Sequence, residues 1–219
     1  MTIFYEHNGV TILHGDARTM ELPAGLTVTD PPYNVGYHYD SYDDGLAPSA
    51  YYDLLAAAIR LPAVVILYPE PMFALSQRLG VMPSKTVAWV YNANTPRQWR
   101  IIAWFGCSPD FSLAGQPYKN PTDRRIQQRI ANGEEARLYD WWEIQQVKNV
   151  SDEKTDHPCQ IPLELMALIL RVTPHDGPVI DPFMGSGTTL RAAKDAGRTA
   201  IGVELSEAYC RIAAERLSQ

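Results

Sequence analysis

Near its C-terminus the chain reads Pro178-Val179-Ile180-Asp181-Pro182-Phe183-Met184-Gly185-Ser186-Gly187-Thr188-Thr189. The apolar start predicts a short buried strand, the two glycines predict a tight turn, and the threonines open a stretch of helical period. Such a turn lets a ligand approach the backbone closely, and the first N–H groups of the helix can face an anionic group such as a carboxylate. Because no lysine follows the second glycine, a triphosphate-binding loop is not predicted.

A carboxylate at the expected distance strengthens this interpretation. The apolar run 200–203 predicts a second strand, and Glu204 follows it, about 20 residues after the turn, the spacing of an acid that binds ribose hydroxyls. A Gly-x-Gly turn by itself is as well explained by chain reversal alone. Strand, turn, helix, second strand and terminal acid together predict a nucleoside cofactor.

The rest of the chain alternates short apolar runs with stretches of helical period, which predicts an α/β fold with a mostly parallel sheet covered by helices on both faces. The predicted strands are 10–13, 26–29, 64–67, 86–91, 179–180 and 200–203, with 98–105 as a further candidate. The predicted helices are 50–61, 71–79, 162–172, 188–196 and 207–217. Ser49 and Ser206 are expected as N-caps, Pro162 in a first helical turn, and Gly197 just after a helix end.

Composition narrows the class of protein. The chain has 219 residues, a net charge of −6 and three widely spaced cysteines, which support neither a disulfide framework nor a metal site. No run of about 18 apolar residues occurs, so we expect a single cytoplasmic domain, 1–219. The acidic total argues against a general polyanion binder. However, residues 97–129 carry six basic and two acidic side chains, which suits either a phosphate backbone or a solvated face.

A second motif, Asp30-Pro31-Pro32-Tyr33, follows the predicted strand 26–29. It should therefore lie at the carboxyl end of the sheet, where open α/β folds bind ligands. The exocyclic amine of a base is a poor nucleophile because its lone pair is delocalised into the ring. The Asp30 carboxylate and the Pro31 carbonyl can accept both amine hydrogens and favour a pyramidal nitrogen, and Tyr33 can stack on the base. Taken alone, four such residues are better explained by a simple proline-rich turn.

The order of the two motifs resembles that of the β-class amino-methyltransferases of DNA, in which the Asp-Pro-Pro-Tyr motif precedes the Phe-x-Gly-x-Gly cofactor motif. The resemblance covers residues 10–36 and about 155–217. It implies a Rossmann-like class I methyltransferase fold of seven strands with permuted motif order, and S-adenosylmethionine as methyl donor. It places residues 181–188 and Glu204 at the cofactor, and Asp16 at the adenine end of that cofactor.

The segment His157-Pro158-Cys159-Gln160-Ile161-Pro162 resembles the stretch that precedes another cofactor-contacting helix of the family, and Pro162 is assigned to the cofactor site on that basis. Ile161 stands where the family often has lysine, which removes a possible cation near the methionine end. His157 is as well explained by hydrogen bonding at a helix start.

The function implied by the resemblance is site-specific methylation of the N6 amine of adenine in DNA, with the target base swung out of the duplex. In this family an aspartate before Pro-Pro-Tyr is commoner in adenine enzymes. The alternatives are an N4-cytosine methyltransferase, a catalytically silent DNA- or partner-binding protein, and a methyltransferase of RNA or a small molecule. Residues 92–150 are predicted as a small insertion for target recognition, and a homodimer is possible. The candidate DNA-contacting residues are Arg97, Arg100, Lys119, Arg124 and Arg125.

Overall fold

The computed structural model describes residues 2–39, 41–148 and 150–219. The strands are β1 Thr2–His7, β2 Val10–His14, β3 Leu26–Thr29, β4 Ala63–Leu67, β5 Lys85–Val90, β6 Trp99–Phe105, β7 Gly115–Gln116, β8 Ala136–Arg137, β9 Trp141–Glu143, β10 Val179–Asp181 and β11 Ala200–Glu204. The α-helices are α1 Pro48–Ala58, α2 Pro69–Leu79, α3 Arg124–Ala131, α4 Leu163–Val172, α5 Thr188–Asp195 and α6 Glu207–Leu217.

Nine strands form the main sheet, in the order β1-β2-β11-β10-β3-β4-β6-β5-β9. The strands β2, β11, β10, β3 and β4 are parallel to one another, and β6 runs antiparallel to both β4 and β5. The resemblance implied seven strands, and the seven strands that lie between and include β2 and β5 in this spatial order match that number. In the described residues β1 extends one edge antiparallel to β2, and β9 extends the other parallel to β5.

Helices cover both faces of this sheet, as predicted. Alternate residues of β4 point to opposite sides: Val65 and Leu67 pack with α1 and α2, whereas Val64 and Ile66 belong to the cluster that includes α4, α5 and α6. Since side chains alternate along a strand and both sets are apolar and buried, β4 reads as a continuous hydrophobic run. The α/β fold class is confirmed.

Most predicted elements are confirmed, and the errors lie at ends and edges. Ser206 caps α6 through its side chain, which accepts a hydrogen bond from the Tyr209 N–H, and Gly197 follows α5 with φ +69°. The expectation for Ser49 is wrong: α1 begins at Pro48, whose fixed φ suits a first helical position. Pro162 is the N-cap of α4 rather than a residue of its first turn.

The range predicted as an insertion, 92–150, contains β6, which is a strand of the central sheet. The remainder of that range includes β7, β8, the helix α3, which has no buried residue, and the edge strand β9. Among the described residues no helix is both long and apolar enough to cross a membrane.

Candidate active site

The carboxyl ends of β2, β11, β10 and β3 lie side by side and open onto one cavity of about 360 Å³. This volume falls within the range of small-molecule sites in proteins. The cavity is lined by both motifs, including Tyr33 and Phe183, although about 150 residues separate them in the chain. The two motifs therefore meet at the carboxyl edge of the sheet, where Asp-Pro-Pro-Tyr was expected.

A buried hydrogen bond joins the two motif-bearing strands. The Thr29 hydroxyl, at the end of β3, donates to Asp181 Oδ1 at the end of β10 over 2.7 Å. The same oxygen accepts the Phe183 N–H at 3.1 Å. Burial raises the pKa of the Asp181 carboxyl to about 6, against these hydrogen bonds. Asp181 therefore fixes the start of the glycine turn relative to β3, and it also lines the cavity.

Glu204, the predicted ribose acid, lines the cavity with a fixed carboxylate. Its Oε2 accepts the Gly185 N–H at 2.9 Å and its Oε1 accepts the Ser206 N–H at 2.8 Å. Burial raises the pKa of this carboxyl, and the hydrogen bonds from the backbone oppose that rise. Each oxygen keeps a further lone pair, so the carboxylate can accept two hydroxyl hydrogen bonds without rearrangement.

The glycine turn leaves no room for larger residues. Gly185 has φ +52°, and a Cβ at this position would lie 2.8 Å from His157 Nε2. The His157 ring packs edge-on against Tyr209 at 4.4 Å, and burial, with nearby Lys154, lowers the pKa of His157 to about 4. His157 is therefore a neutral residue of the cavity wall, which sequence reasoning left undecided.

Three predicted cofactor residues need separate description. Asp16 lines the cavity, but its carboxylate is engaged by the Arg18 guanidinium at 2.5 Å and by the Arg18 N–H at 2.9 Å. Gly187 and Pro162 do not line the cavity. A Cβ on Gly187 would lie 2.9 Å from the Ala213 side chain, so this glycine permits close packing of α5 on α6, and Ile161 faces the cavity in place of Pro162.

The Asp-Pro-Pro-Tyr segment is held by hydrogen bonds from neighbouring elements. The buried Tyr51 hydroxyl, on α1, donates to the Pro32 carbonyl at 2.8 Å. The next loop is organised by Asp44, whose carboxylate accepts the N–H groups of Asn34, Val35 and Tyr37 at 2.8–3.0 Å. Within the described part of the chain, no donor forms a hydrogen bond to the Pro31 carbonyl, so it is available as the second acceptor.

The Asp30 side chain is only 14% exposed, and burial raises the pKa of its carboxyl to about 6. Its Oδ1 accepts a hydrogen bond from the Tyr33 hydroxyl. Among the described residues no donor forms a hydrogen bond to Oδ2, and the nearest cationic atom, Arg100 Nη1, lies 3.8 Å away. Asp30 thus presents one constrained and one available acceptor oxygen.

Two residues of this part of the cavity were missed or misplaced by sequence reasoning. Tyr68, which follows β4, packs on Tyr33 with 4.8 Å between the ring centroids. Arg100 was grouped with the candidate DNA-contacting residues, without a prediction that it lies inside the cavity. Its side chain is 13% exposed and lies against Asp30 and the Tyr33 ring, since its position on β6 turns it into the cavity. A single arginine in an apolar strand was the available signal.

The other basic candidates are exposed. The Arg97 guanidinium lies 4.5 Å from the Tyr68 ring, close to the cavity. Lys119 Nζ lies over the Trp141 ring at 4.2 Å, on the edge strand β9. Arg124 and Arg125 lie in the first turn of α3 with no buried contacts. In the described ranges no group of three or more histidine, cysteine or acidic side chains could hold a metal ion.

A mostly parallel α/β sheet whose carboxyl edge carries a glycine turn and the carboxylates of Asp30 and Glu204 around one cavity has the architecture of a class I methyltransferase. A family model described as DNA methylase matches residues 24–215, and the chain belongs to this N6/N4 family of DNA amino-methyltransferases. Enzymes of the family take the methyl group from S-adenosylmethionine, so that prediction is confirmed at the level of the family.

The chain is 28% identical to the type II methyltransferase M.ScaI of Streptomyces caespitosus, over 98% of this chain and 83% of that protein. The solved complex of M1.HpyAVI with S-adenosylmethionine matches with a TM-score of 0.59 and 23% identity, over 94% of this chain and 99% of that one. The cytosine-N4-specific PvuII DNA methyltransferase matches with a TM-score of 0.66 and 17% identity, over 95% and 86%. At these identities the two structures support the fold alone.

Proposed function

We propose that this enzyme transfers a methyl group from S-adenosylmethionine to the N6 amine of adenine at a specific site in DNA. The observation that carries the proposal is the shared cavity, which is lined by both Asp30 and Glu204. This arrangement supports an acid for a ribose and an acceptor for an amine within one ligand site. An aspartate before the two prolines is commoner in the adenine enzymes of the family, so Asp30 favours adenine over cytosine as the target base.

The residues present fit the cofactor. Gly185 allows close approach to the backbone, the carboxylate of Glu204 is pre-oriented by two N–H groups, and Phe183 and Met184 add apolar wall. We assign the ribose to Glu204 and the remaining contacts to residues 181–186 and Thr188, with Asp16 near the adenine end. When bound, S-adenosylmethionine supplies an electrophilic methyl group on a sulfonium centre.

The chain's own residues then position the amine. Asp30 Oδ2 and the Pro31 carbonyl accept the two amine hydrogens, which directs the nitrogen lone pair out of the plane of the base and toward the methyl group. The cofactor would supply the methyl group and keep the electrons of its C–S bond as sulfide, so the target nitrogen would gain a new N–C bond and a positive charge. The ionised Asp30 stabilises that charge, and the nitrogen then releases a proton to solvent or to Asp30.

The base must leave the duplex to reach this cavity, because the amine is otherwise paired and stacked. Tyr33 and Tyr68 supply aromatic surface for it, in a contact worth about 1–3 kcal/mol per base in single-strand binding proteins. Arg97, Lys119, Arg124 and Arg125 are proposed phosphate or base contacts, with target recognition placed in residues 92–150. A homodimer and a cytoplasmic location stay predictions.

The test is incubation of the protein with S-adenosylmethionine carrying a deuterated methyl group and, in parallel, with duplex DNA, RNA and free adenosine. We expect deuterated N6-methyladenine in DNA alone, as measured by mass spectrometry of the digested nucleosides. Deuterated N4-methylcytosine as the sole product would contradict the choice of base, and transfer only to RNA or to the free nucleoside would contradict the choice of substrate. Asp30→Asn, with Asp140→Asn as an exposed control, is expected to lose transfer while binding the cofactor.

A further inference from the structure

The strand β6 brings a cation into the amine-binding end of the cavity. Arg100 is turned inward from β6, and its guanidinium lies against the rings of Tyr33, Trp89, Tyr91 and Tyr68 at 4.7, 5.0, 5.6 and 5.7 Å. Aromatic faces stabilise a guanidinium through cation–π contacts and accommodate its weak hydration. The cluster therefore holds a permanent positive charge in a largely water-excluded place.

A buried charge requires a partner of opposite sign. For Arg100 the acidic partner found in the described ranges is Asp30, whose Oδ2 lies 3.8 Å from Nη1. The Nε atom of Arg100 is buried without a hydrogen-bond partner. The guanidinium is thus positioned by ring contacts and by one carboxylate, at a distance that leaves Oδ2 able to accept a hydrogen bond from a substrate.

We propose that Arg100 is a positioning residue that keeps Asp30 ionised, so that its carboxylate accepts the hydrogen bond of the target amine. The inference deepens the proposed function and rests on it for the identity of the substrate. A protonated Asp30 would present a hydroxyl donor toward an amine that is itself a donor, and binding of the amine at Oδ2 would be lost.

Within the described ranges, no other group around Asp30 supplies this charge. Burial raises the pKa of Asp30, as does Asp181 on β10, whereas Arg100 and the Tyr33 hydroxyl lower it. The remaining described titratable groups that interact electrostatically with Asp30 carry no positive charge: Tyr39, Tyr51, Tyr91 and Cys159. The pKa of about 6 leaves Asp30 mostly ionised at neutral pH. Without Arg100 the pKa of Asp30 would be higher, and a larger fraction of the carboxyl would be protonated.

The experiment compares Arg100→Met and Arg100→Lys with the wild type. For Arg100→Met we expect the midpoint of the rate of methyl transfer against pH to rise by at least one unit. At pH values below the wild-type midpoint, transfer then slows by about tenfold per unit of that rise. Arg100→Lys keeps the charge and is expected to restore the wild-type midpoint to within about half a unit. An unmoved midpoint in Arg100→Met would overturn the proposal.

Arg97→Met is the matched control, because Arg97 also lies on the Tyr68 ring but is exposed. It is expected to leave the pH midpoint in place whatever its effect on DNA affinity, and a shift as large as that of Arg100→Met would overturn the proposal. Arg100→Gln serves as a second uncharged variant if Arg100→Met does not fold, with the same two outcomes.

A readout without substrate separates this inference from the proposed function. The carboxyl carbon of Asp30, labelled with carbon-13 and assigned through Asp30→Asn, is titrated by NMR in the wild type and in the two uncharged variants. A higher pKa in the variants supports the proposal even if the wild type methylates no DNA, which would refute the proposed function alone. An unchanged titration in an enzyme that methylates DNA would refute the Arg100 proposal alone.

Discussion

Replacing Asp30 by asparagine is expected to stabilise the folded protein while abolishing methyl transfer. The carboxyl has a pKa of about 6 in the folded protein against an ordinary value of 3.8, because burial disfavours its charge more than Arg100 and Tyr33 favour it. Each unit of difference between the folded and unfolded pKa corresponds to about 1.4 kcal/mol. An ionised Asp30 therefore lowers the free energy of unfolding by about 3 kcal/mol at pH 8.

The sign of this effect fixes its pH dependence. Because the folded state binds the proton more tightly, the wild type loses stability as pH rises from about 4 to about 6, and the loss is complete above that range. Asparagine is close in shape and carries no charge, so it resembles the protonated acid at every pH. The stability difference between Asp30→Asn and the wild type should be largest at pH 8 and should vanish near pH 4.

Urea unfolding at pH 8, 6 and 4 measures the difference, with Asp140→Asn as the control. Asp140 is exposed, and its variant should change the free energy of unfolding by less than about 0.5 kcal/mol at each pH. If Asp30→Asn were less stable than the wild type at pH 8, the ionised carboxylate would be a net stabilising group, and the electrostatic account of this site would be wrong.

Three further predictions concern the glycine turn, Glu204 and the hydrogen bond between β3 and β10. Gly185→Ala should weaken S-adenosylmethionine binding at least tenfold in calorimetry, because its Cβ enters a filled space; Gly197→Ala has a similar positive φ but open surroundings and should bind normally. In Glu204→Gln the side-chain NH2 group faces a backbone N–H group, so two donors oppose each other, and cofactor affinity should fall about 10- to 100-fold. Unchanged affinity would exclude the ribose role. Thr29→Val removes the donor to Asp181 and should destabilise the protein by about 1.5–3 kcal/mol in urea at pH 8, whereas equal stability would show that this link is weak.

The sequence predicted the central fold well because its signals are local and repeated. The strands β3, β4, β10 and β11 are short apolar runs between helices of regular period, and parallel strands of this kind align their carboxyl ends by topology. Once both motifs were placed after strands, their meeting at one edge followed from that geometry. The glycine turn and Glu204 were predicted for the same reason.

The edge strands of the sheet and the residues that support the cavity wall could not be predicted in this way. The edge strand β9 has three residues, too few for periodicity to be recognised. Arg100 was misplaced because the alternating faces of β6 both carry apolar residues, so the pattern did not show which side its charge occupied. Asp44, which belongs to neither motif, was missed because the three backbone N–H groups that it binds are brought together by the path of a loop.

The most direct test of the account is a crystal structure of the enzyme with S-adenosylmethionine, or its amine analogue, and a DNA duplex that contains its target site. Single-molecule sequencing of DNA from cells that express the enzyme identifies that site. We expect an adenine outside the duplex, with its N6 about 3–3.5 Å from the methyl position and within hydrogen-bond reach of Asp30 and the Pro31 carbonyl. A cofactor away from Glu204, or a target base outside the cavity between β3 and β10, would contradict it.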